Sequence, residues 1–166
     1  MTRHVVLVGM MGAGKTTVGA ALASRLQVRY ADNDAALVAQ AGEDAASYFL
    51  HHGVDALHAL EHDILERALA EPDGAVVGAP GSIALDPGGT QLVVGQTVVW
   101  LRATLATLSA RVHRDPVRPL LGSDPDAVLA ALMREREPGF ARLATTIVDV
   151  DGLPVDAVVD RILQAS

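Results

Sequence analysis

The feature that most constrains this chain is the glycine-rich run Gly9–Thr16, which has the spacing G-x-x-x-x-G-K-[ST]. A short β-branched apolar run, residues 5–9, leads into it, and Val18, Leu22 and Leu26 then recur on one helix face. At this spacing glycines let backbone N–H groups turn toward phosphate oxygens, and the lysine reaches the outer phosphates of a nucleotide. The run therefore predicts a strand, a phosphate-binding loop and a helix whose positive end faces the anion.

The residues of this loop that contact the nucleotide follow from the motif. Lys15 is the only lysine in a chain with twelve arginines, so a compact point charge is kept where the phosphates would lie. The Thr16 hydroxyl is placed to reach Mg²⁺. The alternative is a chance match, which average residue frequencies give about once in a few hundred chains of this length. The predicted nucleotide contacts are Gly9, Gly12, Ala13, Gly14, Lys15, Thr16 and Thr17.

Beyond the loop, short apolar runs alternate with longer helical patterns. Glycines at positions 42 and 53 interrupt the helical stretch 35–70. Strands alternating with helices favour a parallel sheet covered on both faces, which is a three-layer α/β/α architecture. We predict five strands, at 5–9, 28–31, 75–81, 97–101 and 146–150, and further helices at 14–26, 104–112, 125–137 and 155–164.

Composition excludes several classes of function. The chain has 166 residues and no cysteine, which predicts one domain, residues 1–166, without disulfides or thiolate metal sites. Its formal net charge of −7 argues against nucleic acid and anionic membranes as partners. The apolar run at 5–9 is too short to span a membrane, and we expect a cytoplasmic location. Arginine, proline and aspartate crowd residues 113–126, which predicts a mobile loop.

Several motifs in one order give the chain a resemblance to the shikimate kinase family over nearly its whole length. The resemblance implies a nucleoside-monophosphate-kinase-like fold with an acceptor-binding region at about 32–62 and a mobile lid at about 112–124. It also implies a monomer that transfers the γ-phosphate of ATP to the 3-hydroxyl of shikimate, in aromatic amino acid biosynthesis. The motifs are Gly9–Thr16, Asp32–Asp34, Gly42 to Glu61 with Phe49 and Gly53, the turn at 78–81, Val117–Leu121 and Arg136–Pro138.

Asp32 and Asp34 stand two residues apart where the second strand ends. Residues two apart on an extended chain point the same way, so both carboxylates are expected to face one cleft at the ligand-binding edge of the sheet. The resemblance implies that Asp32 supports Mg²⁺ through water and that Asp34 holds the acceptor hydroxyl and acts as the base. The alternative is that both carboxylates cap the following helix.

Other site residues are implied by the resemblance alone. Arg118 in the lid would neutralise charge in the transition state, and Arg111 would stack on adenine near Pro154. Arg136 would bind the acceptor carboxylate together with the Gly81 turn, against the alternative of an arginine at a helix end. Glu61 would brace a second acceptor arginine, against the alternative of a surface carboxylate.

The acceptor half departs from the family pattern. His58 stands where the second acceptor arginine is expected, and Leu57 replaces an aromatic residue. The glycine turn reads Ala79-Pro80-Gly81, and Pro80 has no N–H to donate to a carboxylate. A protonated His58 would replace the lost arginine, and the Ser82 hydroxyl or a water molecule would replace the lost N–H.

Two other functions stay open. One is a kinase on the same scaffold for a different polyol or cyclitol, which would have less need for carboxylate recognition. The other is a nucleotide-binding module that has lost phosphotransfer, which the retained Asp34 and Arg118 argue against. A gluconate or nucleotide kinase fits the motifs less well.

Overall fold

The computed structural model describes residues 4–114 and 122–165. Its sheet has five strands, all parallel, in the order β2-β3-β1-β4-β5. The strand that precedes the phosphate loop is therefore central, and the loop opens at the carboxyl edge of the sheet. This confirms the predicted α/β class and parallel sheet. The strands are β1 Val5–Val8, β2 Arg29–Asp32, β3 Ala75–Gly78, β4 Thr97–Arg102 and β5 Thr146–Asp149.

Eight α-helices and one 3₁₀ turn, Gly81–Ala84, connect the strands in the described part of the chain. The predicted interruptions of the 35–70 stretch are confirmed, because Gly42 and Gly53 lie between helices with φ of 77° and 86°. The helices are α1 Lys15–Leu26, α2 Asn33–Ala41, α3 Ala45–His52, α4 Val54–Leu69, α5 Pro87–Leu92, α6 Leu105–Val112, α7 Pro125–Leu143 and α8 Val155–Ala165.

The core consists mainly of Ala, Val and Leu side chains. The central strand β1 contributes Val6, Leu7 and Val8, all fully buried. Burial on both faces explains why this strand reads as a continuous apolar run. Large side chains fill the space under α7, where the rings of Trp100 and Phe140 lie 5.9 Å apart. A second, smaller cluster around Leu37, Leu57 and Ile64 supports α2 and α4.

The predicted end of a helix at residue 137 is wrong, because α7 continues through Pro138 to Leu143. A proline inside a helix removes one hydrogen bond and costs about 3 kcal/mol. Packing offsets this cost. Phe140 is fully buried, and Gly139 lies so close to the 3₁₀ turn that a Cβ there would be 2.1 Å from the Ala84 carbonyl oxygen.

Two further features differ from the sequence prediction. The third strand ends at Gly78, so only the first part of the predicted 75–81 segment is strand, and the rest forms the predicted turn into the 3₁₀ segment. Helix α5 was not predicted, because its two glycines disfavour helix. The Asp86 carboxylate stabilises α5 by accepting hydrogen bonds of 2.9 Å from the N–H groups of Gly88 and Gly89.

The core of the predicted lid lies outside the described residues, and Arg118 lies outside them too. Helix α6 ends at Val112 before this region, and α7 begins at Pro125 after it. Among the described residues, no helix combines the length and apolar character needed to cross a membrane.

Candidate active site

The phosphate loop joins β1 to α1 at the carboxyl edge of the sheet. Gly9 has φ 149°, and a Cβ there would lie 2.7 Å from the Leu101 carbonyl oxygen of β4. Gly14 has φ 100° and is the N-cap of α1. Both positions require glycine, because L side chains rarely adopt these conformations. The backbone at the first turn of α1 is therefore arranged as an anion site requires.

Lys15 lies over the loop. Its ammonium donates hydrogen bonds to the carbonyl oxygens of Gly9, at 2.8 Å, and Met10, at 3.3 Å. These two hydrogen bonds hold the Lys15 side chain against the start of the phosphate loop. To contact a phosphate, the ammonium would have to leave them. The predicted lysine thus lies against the phosphate loop and is bonded to its first two residues.

Arg111 braces the phosphate loop from α6. Its Nη1 donates to the carbonyl oxygens of Gly12, at 2.9 Å, and Ala13, at 3.1 Å. Because a trans peptide directs its C=O and N–H to opposite sides, the Ala13 contact turns the Gly14 N–H away from Arg111. The predicted adenine contact of Arg111 stays a prediction. Pro154, its predicted neighbour on the base, is exposed in the turn before α8.

Asp32 lies at the end of β2 and uses both oxygens. Oδ1 accepts hydrogen bonds from the N–H groups of Asp34, at 3.0 Å, and Ala35, at 3.2 Å, and so caps α2. Oδ2 accepts from the hydroxyls of Thr16, at 2.7 Å, and Tyr30, at 2.9 Å. The capping role and the contact with the loop threonine are therefore both present, on different oxygens of one carboxylate.

The expectation that Asp32 and Asp34 share one face of an extended segment is wrong. Asp34 already belongs to the first turn of α2, where it is exposed. It lies close enough to the acceptor side for its charge to raise the pKa of Glu61. The two carboxylates thus belong to different elements, one facing the loop and one at a helix start.

Glu61 is buried in α4, with 7 % of its surface exposed, so the surface alternative is wrong. Its carboxylate accepts a hydrogen bond of 2.5 Å from the Ser82 hydroxyl, and its backbone carbonyl accepts one of 3.0 Å from the Asn33 amide. Burial raises the pKa of Glu61, while the Ser82 hydrogen bond opposes this rise. Because the Ser82 hydroxyl donates its hydrogen to Glu61, that hydrogen is not free for the carboxylate of a phosphate acceptor, contrary to what the sequence suggested.

Arg136 lies within α7 rather than at a helix end, so that alternative is also wrong. Its guanidinium reaches the 3₁₀ turn, where a Cβ on Gly81 would lie 2.6 Å from Nη1. Its Nε is buried and has no hydrogen-bond partner among the described residues. Burial lowers the pKa of Arg136, and the charges of Glu135 and Glu61 oppose that effect.

His58 and Pro80 flank the same region. His58 is half-buried on α4, three residues before Glu61 and so on the same helix face. Its charge lowers the pKa of Glu61. Pro80 is buried ahead of the 3₁₀ turn and has no N–H to offer there. The structure thus brings the predicted residues Arg136, Gly81 and His58 around the buried Glu61.

The sequence did not indicate Tyr30 or Asn33 as members of this network. Tyr30 carried one usable signal, since it stands two residues before Asp32 on a strand and so points to the same side. Asn33 carried none, because its burial at 3 % exposure and its bond to α4 depend on tertiary packing. Both support residues that the motifs did indicate.

The residues present fit a nucleotide-bound Mg²⁺. Thr16 and Asp32 supply hard oxygen atoms beside the phosphate loop. Within residues 4–114 and 122–165, no group of three or more His, Cys, Asp or Glu side chains could hold a metal by itself. Mg²⁺ is ordinarily held by one or two protein oxygens together with substrate phosphates, so the site needs no such group.

Comparison with known proteins agrees with this geometry. The family model for shikimate kinase matches residues 11–166. The shikimate kinase of Thermobifida fusca is 43% identical over 143 residues, which cover 86% of this chain and 83% of that protein. That of Saccharopolyspora erythraea is 39% identical, over 99% of this chain and 94% of its own length.

Solved structures extend the likeness to three dimensions. A structure of shikimate kinase from Acinetobacter baumannii in complex with shikimate is 26% identical, with a TM-score of 0.92. The match covers 99% of this chain and 92% of that one. Fold, site geometry and sequence likeness over nearly the whole chain therefore agree, and the chain belongs to the shikimate kinase family, phosphotransferases that act on a hydroxyl group.

Proposed function

We propose that this chain transfers the γ-phosphate of ATP to a hydroxyl of shikimate, with Mg²⁺ as the metal. The observation that carries the choice of acceptor is the buried and unpaired Nε of Arg136 beside Gly81. A buried donor without a hydrogen-bond partner is costly, and the planar fork of donors in arginine matches a carboxylate. A carboxylate-bearing acceptor supplies the missing partner.

This argument separates shikimate from the rival acceptors. An uncharged cyclitol would leave the buried Arg136 Nε without a hydrogen-bond partner among the described residues. Glu135 and Glu61 act on Arg136 through their charges, but neither accepts a hydrogen bond from this Nε. An acid with ring hydroxyls has a carboxylate to pair with the guanidinium and a hydroxyl oxygen to receive the phosphoryl group. Shikimate is therefore favoured over a neutral polyol.

The nucleotide side would be held by the phosphate loop. The helix start at Lys15 and the N–H of Gly14 offer donors to the phosphates, and the Lys15 ammonium leaves its loop carbonyls to meet them. Thr16 and Asp32 would hold the metal, Asp32 through water, and the metal would spread charge over the phosphate oxygens. The Thr16 hydroxyl donates its hydrogen to Asp32, which leaves its lone pairs for the metal.

Asp34 is the proposed base. It is exposed at the N-terminal turn of α2, and its charge acts on Glu61 of the acceptor side. Phosphoryl transfer depends mainly on position and charge, so one carboxylate that orients the hydroxyl and takes its proton is sufficient. Arg118 keeps its proposed role in neutralising charge, and Arg111 and Pro154 keep theirs at adenine.

The retained machinery also argues against a module that only binds nucleotide. Neither the Asp34 carboxylate nor the Arg136 guanidinium is needed to hold ATP. Both lie on the side where an acceptor would be. The monomeric state and the cytoplasmic location stay predictions.

A single assay tests this function. ADP release is measured with Mg²⁺ and ATP across shikimate, a quinate-like acid and an uncharged cyclitol. We expect the highest kcat/KM with shikimate and a value about 10- to 150-fold lower with the neutral ring, since a charged hydrogen bond contributes roughly 1.5–3 kcal/mol. Equal or better turnover of the neutral ring would overturn the assignment of the acceptor.

A further inference from the structure

Tyr30 of β2 lies in a channel made by two glycines. A Cβ on Gly19 of α1 would lie 2.2 Å from the ring atom Cε2, and one on Gly78 of β3 would lie 2.5 Å from the hydroxyl oxygen. Contacts below 3 Å essentially never occur for real Cβ atoms. The absence of both side chains therefore lets the ring run between α1 and β3 toward the start of α1.

The ring delivers its hydroxyl to the loop and to Asp32. The oxygen lies 2.9 Å from Asp32 Oδ2 and 3.2 Å from the Lys15 carbonyl oxygen. The single phenolic hydrogen goes to the carboxylate, because that oxygen is nearer and charged. Burial and, after it, the charge of Asp32 raise the pKa of Tyr30, which keeps the phenol a donor.

Without Tyr30, Asp32 Oδ2 would be held by Thr16 alone. The cap on α2 fixes Oδ1, and the two hydroxyls together fix the rotation of the carboxylate about its last bond. Thr16 must give its hydrogen away if its oxygen is to meet a metal, and Asp32 Oδ2 is the oxygen that receives it. Anything that orients Oδ2 therefore orients the Thr16 hydroxyl.

We propose that Tyr30 is a positioning residue for the metal-supporting pair Thr16 and Asp32, acting through its hydroxyl on Asp32 Oδ2. This role rests on the proposed function, because it presupposes a nucleotide-bound divalent cation at Thr16. The Tyr30 hydroxyl fixes Asp32 Oδ2, the oxygen that accepts the Thr16 hydrogen bond. Gly19 and Gly78 leave room for the ring. A tyrosine that only filled the core would not need its hydroxyl.

The test is the affinity of a non-hydrolysable ATP analogue, measured by calorimetry with Mg²⁺ and again with EDTA. Tyr30→Phe keeps the ring between the two glycines and removes only the hydroxyl, so the fold is retained; a Tm within a few degrees of wild type checks this. We expect an affinity with Mg²⁺ that is about 3- to 10-fold weaker than wild type, and an unchanged affinity in EDTA. This is less than the 10- to 100-fold typical of direct outer-shell partners of a metal.

Two controls separate this role from a structural one. Tyr48→Phe removes the only other phenol hydroxyl of the chain, which lies on α3 beside His52, and should leave the Mg²⁺-dependent affinity unchanged. In an Asp32→Asn background, which keeps a helix cap, Tyr30→Phe should have no further effect because the role passes through Asp32.

Each outcome decides something different. If wild type gains affinity from Mg²⁺ and Tyr30→Phe gains just as much, the role of Tyr30 is overturned and the proposed function stands. An equal loss in Mg²⁺ and in EDTA would assign Tyr30 to the loop backbone instead of the metal pair. If wild type gains nothing from Mg²⁺, the metal part of the proposed function fails, and the role of Tyr30 fails with it.

Discussion

The side-chain amide of Asn33 donates a hydrogen bond of 3.0 Å to the backbone carbonyl of Glu61. This bond anchors the residue between Asp32 and Asp34 to the helix that carries the acceptor-side residues. The Glu61 carboxylate continues the connection to Ser82 on the 3₁₀ turn. This buried amide therefore joins the nucleotide side of the site to the acceptor side, together with the apolar cluster of Leu37, Leu57 and Ile64.

Removing that amide should destabilise the fold in a defined order. Asn33→Ala removes the second donor of the Glu61 carbonyl, which lies inside α4, and should lower the free energy of unfolding by about 0.5–1.5 kcal/mol. Asn33→Asp places a carboxylate against the same carbonyl oxygen in a buried position and should cost more. Urea denaturation of the three proteins checks the order. An Asn33→Asp variant as stable as wild type would show that the bond does not anchor α2.

Asp34→Asn should separate chemistry from nucleotide binding. The base acts on the acceptor hydroxyl, so kcat should fall by about 10²- to 10⁴-fold. Affinity for ATP should stay within a few-fold, because the Asp34 side chain is exposed on α2. Its backbone N–H bond to Asp32 is kept in the variant. Steady-state kinetics and calorimetry are compared. A collapse of ATP affinity would instead make Asp34 a metal ligand.

Glu61→Gln should change how stability depends on pH. Burial raises the pKa of Glu61 above its ordinary value of 4.5, so the folded state holds the proton more tightly than the unfolded chain does. Wild type therefore loses stability as the pH rises from about 4.5 toward the folded pKa, and the glutamine variant does not. Glutamine can still accept from Ser82. Thermal unfolding from pH 4 to 8 should show the variant gaining on wild type as pH increases; parallel curves would contradict the buried charge.

The KM for shikimate should fall when the two residues that depart from the family pattern are changed to the family's residues. His58→Arg supplies a second charged donor, and Pro80→Gly restores a backbone N–H at the turn. One charged hydrogen bond contributes roughly 1.5–3 kcal/mol, so the double variant should lower the KM for shikimate by about 10-fold or more. The single variants show which donor matters. A wild-type KM in the micromolar range that neither change improves would mean that the pocket is already complete.

Periodicity and turn residues predict most of the frame. The five strands and the interruptions at Gly42 and Gly53 follow from local pattern, because buried parallel strands are apolar runs and glycine ends helices. The continuation of α7 past Pro138 does not follow. It depends on the burial of Phe140 and on the close approach of Gly139 to Ala84, which are contacts distant in sequence.

Some residues of the candidate site can likewise be predicted from local sequence, and others depend on tertiary contacts. A spacing motif identifies Lys15 and Thr16, because the loop geometry is local. Asp34 lies in a helix because Asp32 caps α2, which begins at Asn33. A D-x-D pattern is compatible with a strand or with a helix start at this position. The unpaired Nε of Arg136 depends on the meeting of α7 with the 3₁₀ turn, which no local pattern encodes.

Identification of the product tests the central claim most directly. Shikimate is incubated with Mg²⁺ and ATP, and the reaction is followed by ³¹P NMR with wild type and with Lys15→Met, whose fold is checked by circular dichroism. The account predicts a new phosphate monoester on shikimate with wild type, formed at least about 10²-fold more slowly by the variant. Absence of phosphorylated shikimate with wild type, or equal rates for the two proteins, would contradict it.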